Sequence, residues 1–163
     1  MGDWQNSSGF DDLIKVDQNG DPIQGLTNRG FYLSAEHVIW KIDNGDKLSA
    51  FIRYGQGEEN ISRVGEYFGI GTAYEGLLNA AIPYKLGLAV AISENGNPFL
   101  ESQKVLGLEF DKSEINFEAT AHFQVTDWLA LQPDIQYIVN PGLLPNIENA
   151  LVFGFRVELS QSF

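Results

Sequence analysis

The chain has no cysteine, no long apolar run, and only ten Lys and Arg among its 163 residues. Without Cys there is no disulfide, no thiolate nucleophile and no zinc–thiolate site. Apolar runs of a few residues fall far short of the roughly 20 that a membrane helix needs. A net charge of −12 leaves no basic face for the phosphates of a nucleic acid. Much of the acid lies between candidate strands, at Asp11–Asp12, Glu58–Glu59 and Asp111, where charge keeps loops solvated. Catalytic constellations are missing as well. His122 shares a strand face with Glu118, but four residues of strand separate them by roughly 13 Å, too far for a shared metal or a proton relay. Glu58 and Glu59, if extended, point to opposite sides. The spaced glycines of GIGTAYEG precede no helical pattern that could receive a phosphate. No enzyme, no metal and no cofactor are expected.

What the chain does have is alternation. In ALVFGFRVELSQSF (150–163) one face carries Leu151, Phe153, Phe155, Val157 and Leu159, and the other Ala150, Val152, Gly154, Arg156 and Glu158. In INFEATAHFQV (115–125) the polar face, Asn116, Glu118, Thr120, His122 and Gln124, holds no apolar residue. LALQPDIQYIVN (129–140) sets Leu131, Ile135 and Tyr137 against Gln132, Asp134 and Gln136. Three long strands in succession, greasy on one side and hydrogen-bonding on the other, suit a transmembrane β-barrel around a wet lumen. Their length matches the roughly 9–11 residues of a tilted membrane strand. Seventeen Gly and abundant aromatics, three Trp, six Tyr and eleven Phe, fit the same class.

Further strand-like runs lie at 30–42, 48–55, 68–78 and 86–95, which makes seven strands. The connections alternate in length. Those at 43–47, 79–85 and 126–128 are short, whereas 56–67, 96–114 and 141–149 are longer, and Asn140-Pro141-Gly142 closes a strand. Short turns on one rim and long loops on the other are the outer-membrane arrangement, with the short turns periplasmic. Trp40, Tyr84, Trp128 and Phe163 fall at the short-turn rim, as a headgroup-level girdle does. The N-terminal thirty residues are rich in Gly, Asn, Asp and Ser. They read as a long exposed loop after a strand stub at Gly2-Asp3-Trp4-Gln5. GDWQNSSG after Met1 has neither the cationic nor the apolar region of a secretory leader. The expectation is a removed leader, or a chain that begins within a larger gene product.

WLALQPDIQYIVNPG (128–142) followed by NALVFGFRVEL (149–159) resembles the last two strands of the carbohydrate-selective porins of Gram-negative outer membranes, the OprB type. Weaker echoes are GFYLSAEHVIW, LSAFIRYGQG and YEGLL; NAAIPYK departs from an Arg-Pro pair common at that turn. The resemblance runs from about Trp4 to Phe163 and corresponds to the C-terminal portion of a longer family member. It implies an all-β, antiparallel outer-membrane β-barrel: 1–29 as strand stub and extracellular loop, and 30–163 as seven to eight meandering strands of a sixteen-stranded whole. It also implies passive diffusion of monosaccharides. Partners would be neutral sugars and outer-membrane lipid, and self-association into a homo-oligomer is compatible with it.

The residues on the inward parity are Arg53, Glu75, Glu118, His122, Gln124, Gln132, Asp134, Gln136, Arg156 and Glu158, with Ser49, Asn116, Thr120 and Asn140 beside them. Amide, carboxylate and guanidinium groups replace the hydration of a sugar without holding it too tightly to leave. For any one of them the plainer role, pairing with neighbours and solvating the wall, carries more weight. Two other classes stay open. One is a complete eight-stranded barrel, filled by side chains, with a structural or adhesive role. The other is a soluble, carbohydrate-binding β-sandwich.

Overall fold

The structure, a computed structural model, describes residues 1–41, 45–78 and 81–160. Eight antiparallel strands form one sheet in chain order. They are β1 (Gly2–Phe10), β2 (Leu26–Lys41), β3 (Lys47–Gly57), β4 (Val64–Leu78), β5 (Ile82–Asn95), β6 (Ser113–Thr126), β7 (Leu129–Val139) and β8 (Ala150–Leu159). Each strand pairs with the next in sequence, so the sheet is a meander. β1 pairs with β2 and β8 with β7, and the two are the sheet's edges. A closed eight-stranded barrel would need β1 or Leu13–Val16 to pair with β8. Val16 instead bridges Pro22.

Register decides which face each side chain takes, because facing residues in an antiparallel pair share a side. One face carries the rows His37–Ala50–Thr72–Leu88–Ala119–Ile135–Phe153 and Ala35–Ile52–Ile70–Val90–Phe117–Tyr137–Leu151. His37 is the one acid, base or histidine in the middle rows of that face among the described residues. Phe153 is 74% and Leu88 63% exposed, while the only buried apolar side chains among the described residues are Ala130 and Leu143. A soluble sandwich places its apolar face inside. Each large side chain left in water forgoes roughly 1.5–3 kcal/mol, so this face requires a non-aqueous contact.

Three differences from the sequence reading stand out. The N-terminal stub is a nine-residue strand, β1, whose Trp4 faces Gly30 and whose Asn6 faces Asn28. Its polar residues hid it from an alternation test. β2 accordingly begins at Leu26 rather than residue 30. The segment 96–114, read as loop, contains a helix, α1 (Asn97–Val105), with Pro98 in its first turn, where a missing N–H costs nothing. Asn140 leaves the ladder with φ of 53°, and its side chain donates to the Ser113 carbonyl at 3.1 Å, so it does not extend the inward row. Of the expected girdle, Tyr84 lies on the apolar face beside Tyr74, with ring centroids 6.0 Å apart, and Trp128 is exposed in the β6–β7 turn. Trp40 reaches the apolar face through a bulge before it, and Phe163 lies outside the described residues.

The long connections are knitted together. Arg63 Nε donates to Asn95 Oδ1 at 3.2 Å, and its Nη2 donates to the Gly142 carbonyl at 2.6 Å. Its guanidinium also lies 5.2 Å from the Phe99 ring centroid and 5.1 Å from that of Phe110. Asn95, fully buried, donates in turn to the Asp111 carbonyl at 2.8 Å. Leu143, buried at positive φ, is held by the Asp111 N–H at 3.0 Å. The first loop joins through Leu13 N–H to the Asn60 carbonyl at 2.8 Å. Within it, N–H groups of Lys15 and Ile14 hold the Asp12 carboxyl below its usual range.

Two outcomes follow. Spin labels at Phe117, Phe123, Leu131, Ile135, Phe153 and Phe155 are expected to respond to lipid-soluble quenchers, and labels at Gln124, Gln136 and Arg156 to aqueous ones. The reverse pattern contradicts the register. Arg63→Ala leaves the buried Asn95 Oδ1 short of a donor, which costs about 1–3 kcal/mol, and removes cation–π contacts worth about 0.5–1 kcal/mol each when exposed. Amide exchange at Asp111 and Leu143 should rise about ten-fold or more, with β5–β7 amides unchanged. Equal loop protection in the variant would show that Arg63 pins nothing.

Candidate functional site: the polar face of the sheet

All ten residues singled out from the sequence stand on the face opposite the apolar one. Cross-strand pairing arranges this polar face in rungs. Toward the long loops lies Tyr32–Gly55–Tyr67–Ser93–Glu114, followed by Ser34–Arg53–Gly69–Ala91–Asn116. Below it lies Glu36–Phe51–Gly71–Ala89–Glu118–Gln136, and then Val38–Ser49–Ala73–Gly87–Thr120–Asp134–Gly154. The next rung runs Lys41–Lys47–Glu75–Lys85–His122, with Gln132 and Arg156 paired farther along. Gln124–Ala130–Glu158 follows, nearest the short turns.

The polar groups engage one another in short chains. Asn116 Nδ2 donates to Gln136 Oε1 at 3.2 Å, and Gln136 Nε2 donates to Asp134 Oδ2 at 3.3 Å. Gln132 Nε2 donates to Thr120 Oγ1 at 3.1 Å. Lys47 and Lys85 each reach a different oxygen of Glu75 at 3.0 Å. Arg156 meets Glu158 only at 3.9 Å. Gln124 is turned aside, its Nε2 donating to the Thr126 carbonyl at 2.7 Å. Arg53, Glu118, His122 and Gln132 share one concavity of ≈ 590 Å³ on this face, which Glu36, Phe51, Tyr67 and Lys85 also line. The structure therefore brings four of the ten together. Glu75, Gln124, Asp134, Gln136, Arg156 and Glu158 lie outside that concavity on the same face.

Aromatic rings on the wet side escaped the sequence reading. Phe51 lies across Gly71, where an added Cβ would meet its ring at 2.6 Å, and the Trp4 indole lies across Gly30 at 2.7 Å. Tyr32 covers Gly2 in the same way. Each ring shields a glycine on the neighbouring strand, which restores packing that the glycine lacks. The signal was present as parity, since Phe51 shares its strand face with Ser49 and Arg53. Arg53 stands 4.9 Å from the Phe51 ring centroid, giving a flat ring with a cation beside it. Small residues, Gly69, Ala73, Gly87, Ala89 and Ala91, floor the concavity between these groups. The Asp134 carboxylate occupies the space above Gly154, so a side chain there would displace it.

A face that is polar and glycine-floored, backed by a face that is apolar and outward, is how the wall of a transmembrane β-barrel is built. Comparison with known proteins agrees. Residues 2–160 match the family described as carbohydrate-selective porin, OprB family. Porin B of Pseudomonas aeruginosa is 27% identical over 97% of this chain and 40% of its own length. The solved structure of Pseudomonas putida OprB at high pH superposes with a TM-score of 0.84 over 96% of this chain and 43% of that one, at 22% identity. The chain thus spans about two fifths of the length of the relatives it matches. With an open sheet whose faces divide as a barrel wall requires, and a match over nearly its whole length, the chain belongs to the OprB family of carbohydrate-selective porins, a family of Gram-negative outer-membrane proteins.

Proposed function

We propose that this chain forms part of the wall of a water-filled outer-membrane channel for passive diffusion of neutral monosaccharides. The polar face lines the lumen and the apolar face meets lipid. The short turns lie on the periplasmic rim and the long, interlocked loops at the outer mouth. The observation that carries the reading is the separation of faces across eight registered strands: Arg53, Glu118, His122 and Gln132 gather in one concavity, opposite a face whose middle rows are apolar but for His37 and Thr72. A sugar entering a constriction exchanges hydration hydrogen bonds for wall hydrogen bonds. Asp134 and Gln136, on adjacent rungs, accept and donate, Arg53 and Arg156 donate, and Glu75, Glu118 and Glu158 accept. Gln124 and Gln132 complete the set near the short turns. The Phe51 ring offers a flat surface for the C–H face of a pyranose.

Liposome swelling with the full-length protein tests this. Glucose should enter several-fold faster than an uncharged solute of the same size with few hydroxyls, about 1 kcal/mol of barrier difference. Phe51→Ala together with Asp134→Asn should reduce that preference by about three-fold or more while leaving a conducting pore. Equal rates for both solutes in the native protein would remove the sugar preference, and no swelling would remove the channel.

A further inference from the structure

The charges of the polar face are not mixed evenly. Among the described residues of β2–β6, the rung Lys41–Lys47–Glu75–Lys85–His122 holds three lysines against one carboxylate. That is nearly a third of the ten Lys and Arg in a chain of net charge −12, gathered at one level near the short turns. The rung above on the same strands, Val38, Ser49, Ala73, Gly87 and Thr120, carries no charge. Below it, Leu77, Pro83 and Gln124 are uncharged too. Asp46 points away, accepting from the Tyr74 hydroxyl at 2.6 Å on the apolar side. Glu75 spends both oxygens on Lys47 and Lys85, so one negative charge is shared by two ammonium groups and a positive excess remains. Both lysines stay roughly half exposed, with side-chain exposures of 41% and 48%. Their remaining donors are open to a solute.

Lys41 joins this rung only because of a bulge. Val38 faces Ser49, but Trp40 faces Leu48 and Lys41 faces Lys47. The extra residue exchanges the two faces, sending Trp40 to the apolar side and Lys41 to the polar one. Strict alternation would have done the opposite. On the far side of the sheet Arg156 stands level with Gln132 and adds a fourth cation, partly offset by Glu158 at 3.9 Å and by Asp134, level with Thr120 one rung up.

We propose, resting on the channel reading above, that this rung is an anion station at the short-turn end of the lumen. It takes the carboxylate of a monoanionic sugar acid and holds back cations. Rows of Lys and Arg select anions in pores as rows of Asp and Glu select cations. The carboxylate sits between the ammonium groups of Lys47, Lys85 and Lys41. The sugar's hydroxyls meet His122, Gln132 and Thr120, within the same width of wall. A net excess of about two positive charges suits a monoanion that must leave again. A stronger cluster would trap it.

The test uses the full-length protein in planar bilayers under a KCl gradient, with gluconate and glucosamine as solutes of matched size. The native channel should pass chloride in preference to potassium, and gluconate should enter liposomes faster than glucosamine. Lys47→Gln/Lys85→Gln should lower the chloride-to-potassium permeability ratio by about three-fold or more and abolish the gluconate advantage. Lys47→Arg/Lys85→Arg should retain both. Lys41→Gln, which breaks no ion pair with Glu75, should lower the ratio in the same direction by a smaller factor and covers the case in which the double variant fails to insert. A ratio unmoved by Lys41→Gln and by the double variant, in a channel that conducts, overturns the anion station alone. Absence of any current in the native protein overturns the channel reading instead.

Discussion

Everything in this structure depends on pairing every backbone N–H and C=O where no water can replace a missing partner. In hydrocarbon each unpaired group costs several kcal/mol, and a registered antiparallel ladder satisfies them all except at its edges. The ladder has a second consequence. Its side-chain period is two, so one register fixes both the apolar surface and the polar one. Seven pairings, β1 through β8, agree on that division. The polar face is therefore a product of the same constraint that makes the apolar face, and neither can be altered by a slip without exposing charge to lipid.

Bulges mark where the constraint relaxes. The register shifts fall near strand ends, between Val38 and Trp40, between Val64 and Glu66, and between Gln124 and Thr126. At those heights the chain leaves the apolar layer and unpaired groups can reach water or headgroups. The Val38–Trp40 shift serves both surfaces at once, giving the apolar face a Trp and the polar face a lysine. At the opposite rim the strands end in loops that are not loose. Arg63, set against two aromatic rings and two neighbouring loops, gives them one shared anchor.

Much of this was legible in the sequence because alternation is cheap to read where a face is uniformly polar or apolar. β6 and β7 fall where INFEATAHFQV and LALQPDIQYIVN place them, β8 takes the first ten residues of ALVFGFRVELSQSF and ends at Leu159, and Glu118, Asp134 and Arg156 take the face their parity assigns. β1 was largely hidden, because WQNSSG has no apolar alternation and its place in the sheet is set by the ladder to β2. α1 escaped because a helix of nine residues, with no buried side chain, leaves no amphipathic trace. The cationic rung was beyond reach in principle. Lys41, Lys47 and Lys85 lie on three strands, and only the register, with one bulge, sets them side by side. The same holds for Phe51 over Gly71, a contact between residues twenty positions apart.

The claim that the polar face is a lumen can be measured with little interference, because the chain contributes no thiol of its own. A single Cys introduced at Gln136 in the full-length protein should react with a charged, water-soluble thiol reagent, and the reaction should reduce single-channel current stepwise. A Cys at Ile135, one residue away on the other face, should be protected by lipid and leave the current unchanged. Current reduction from Ile135→Cys and none from Gln136→Cys would contradict the account.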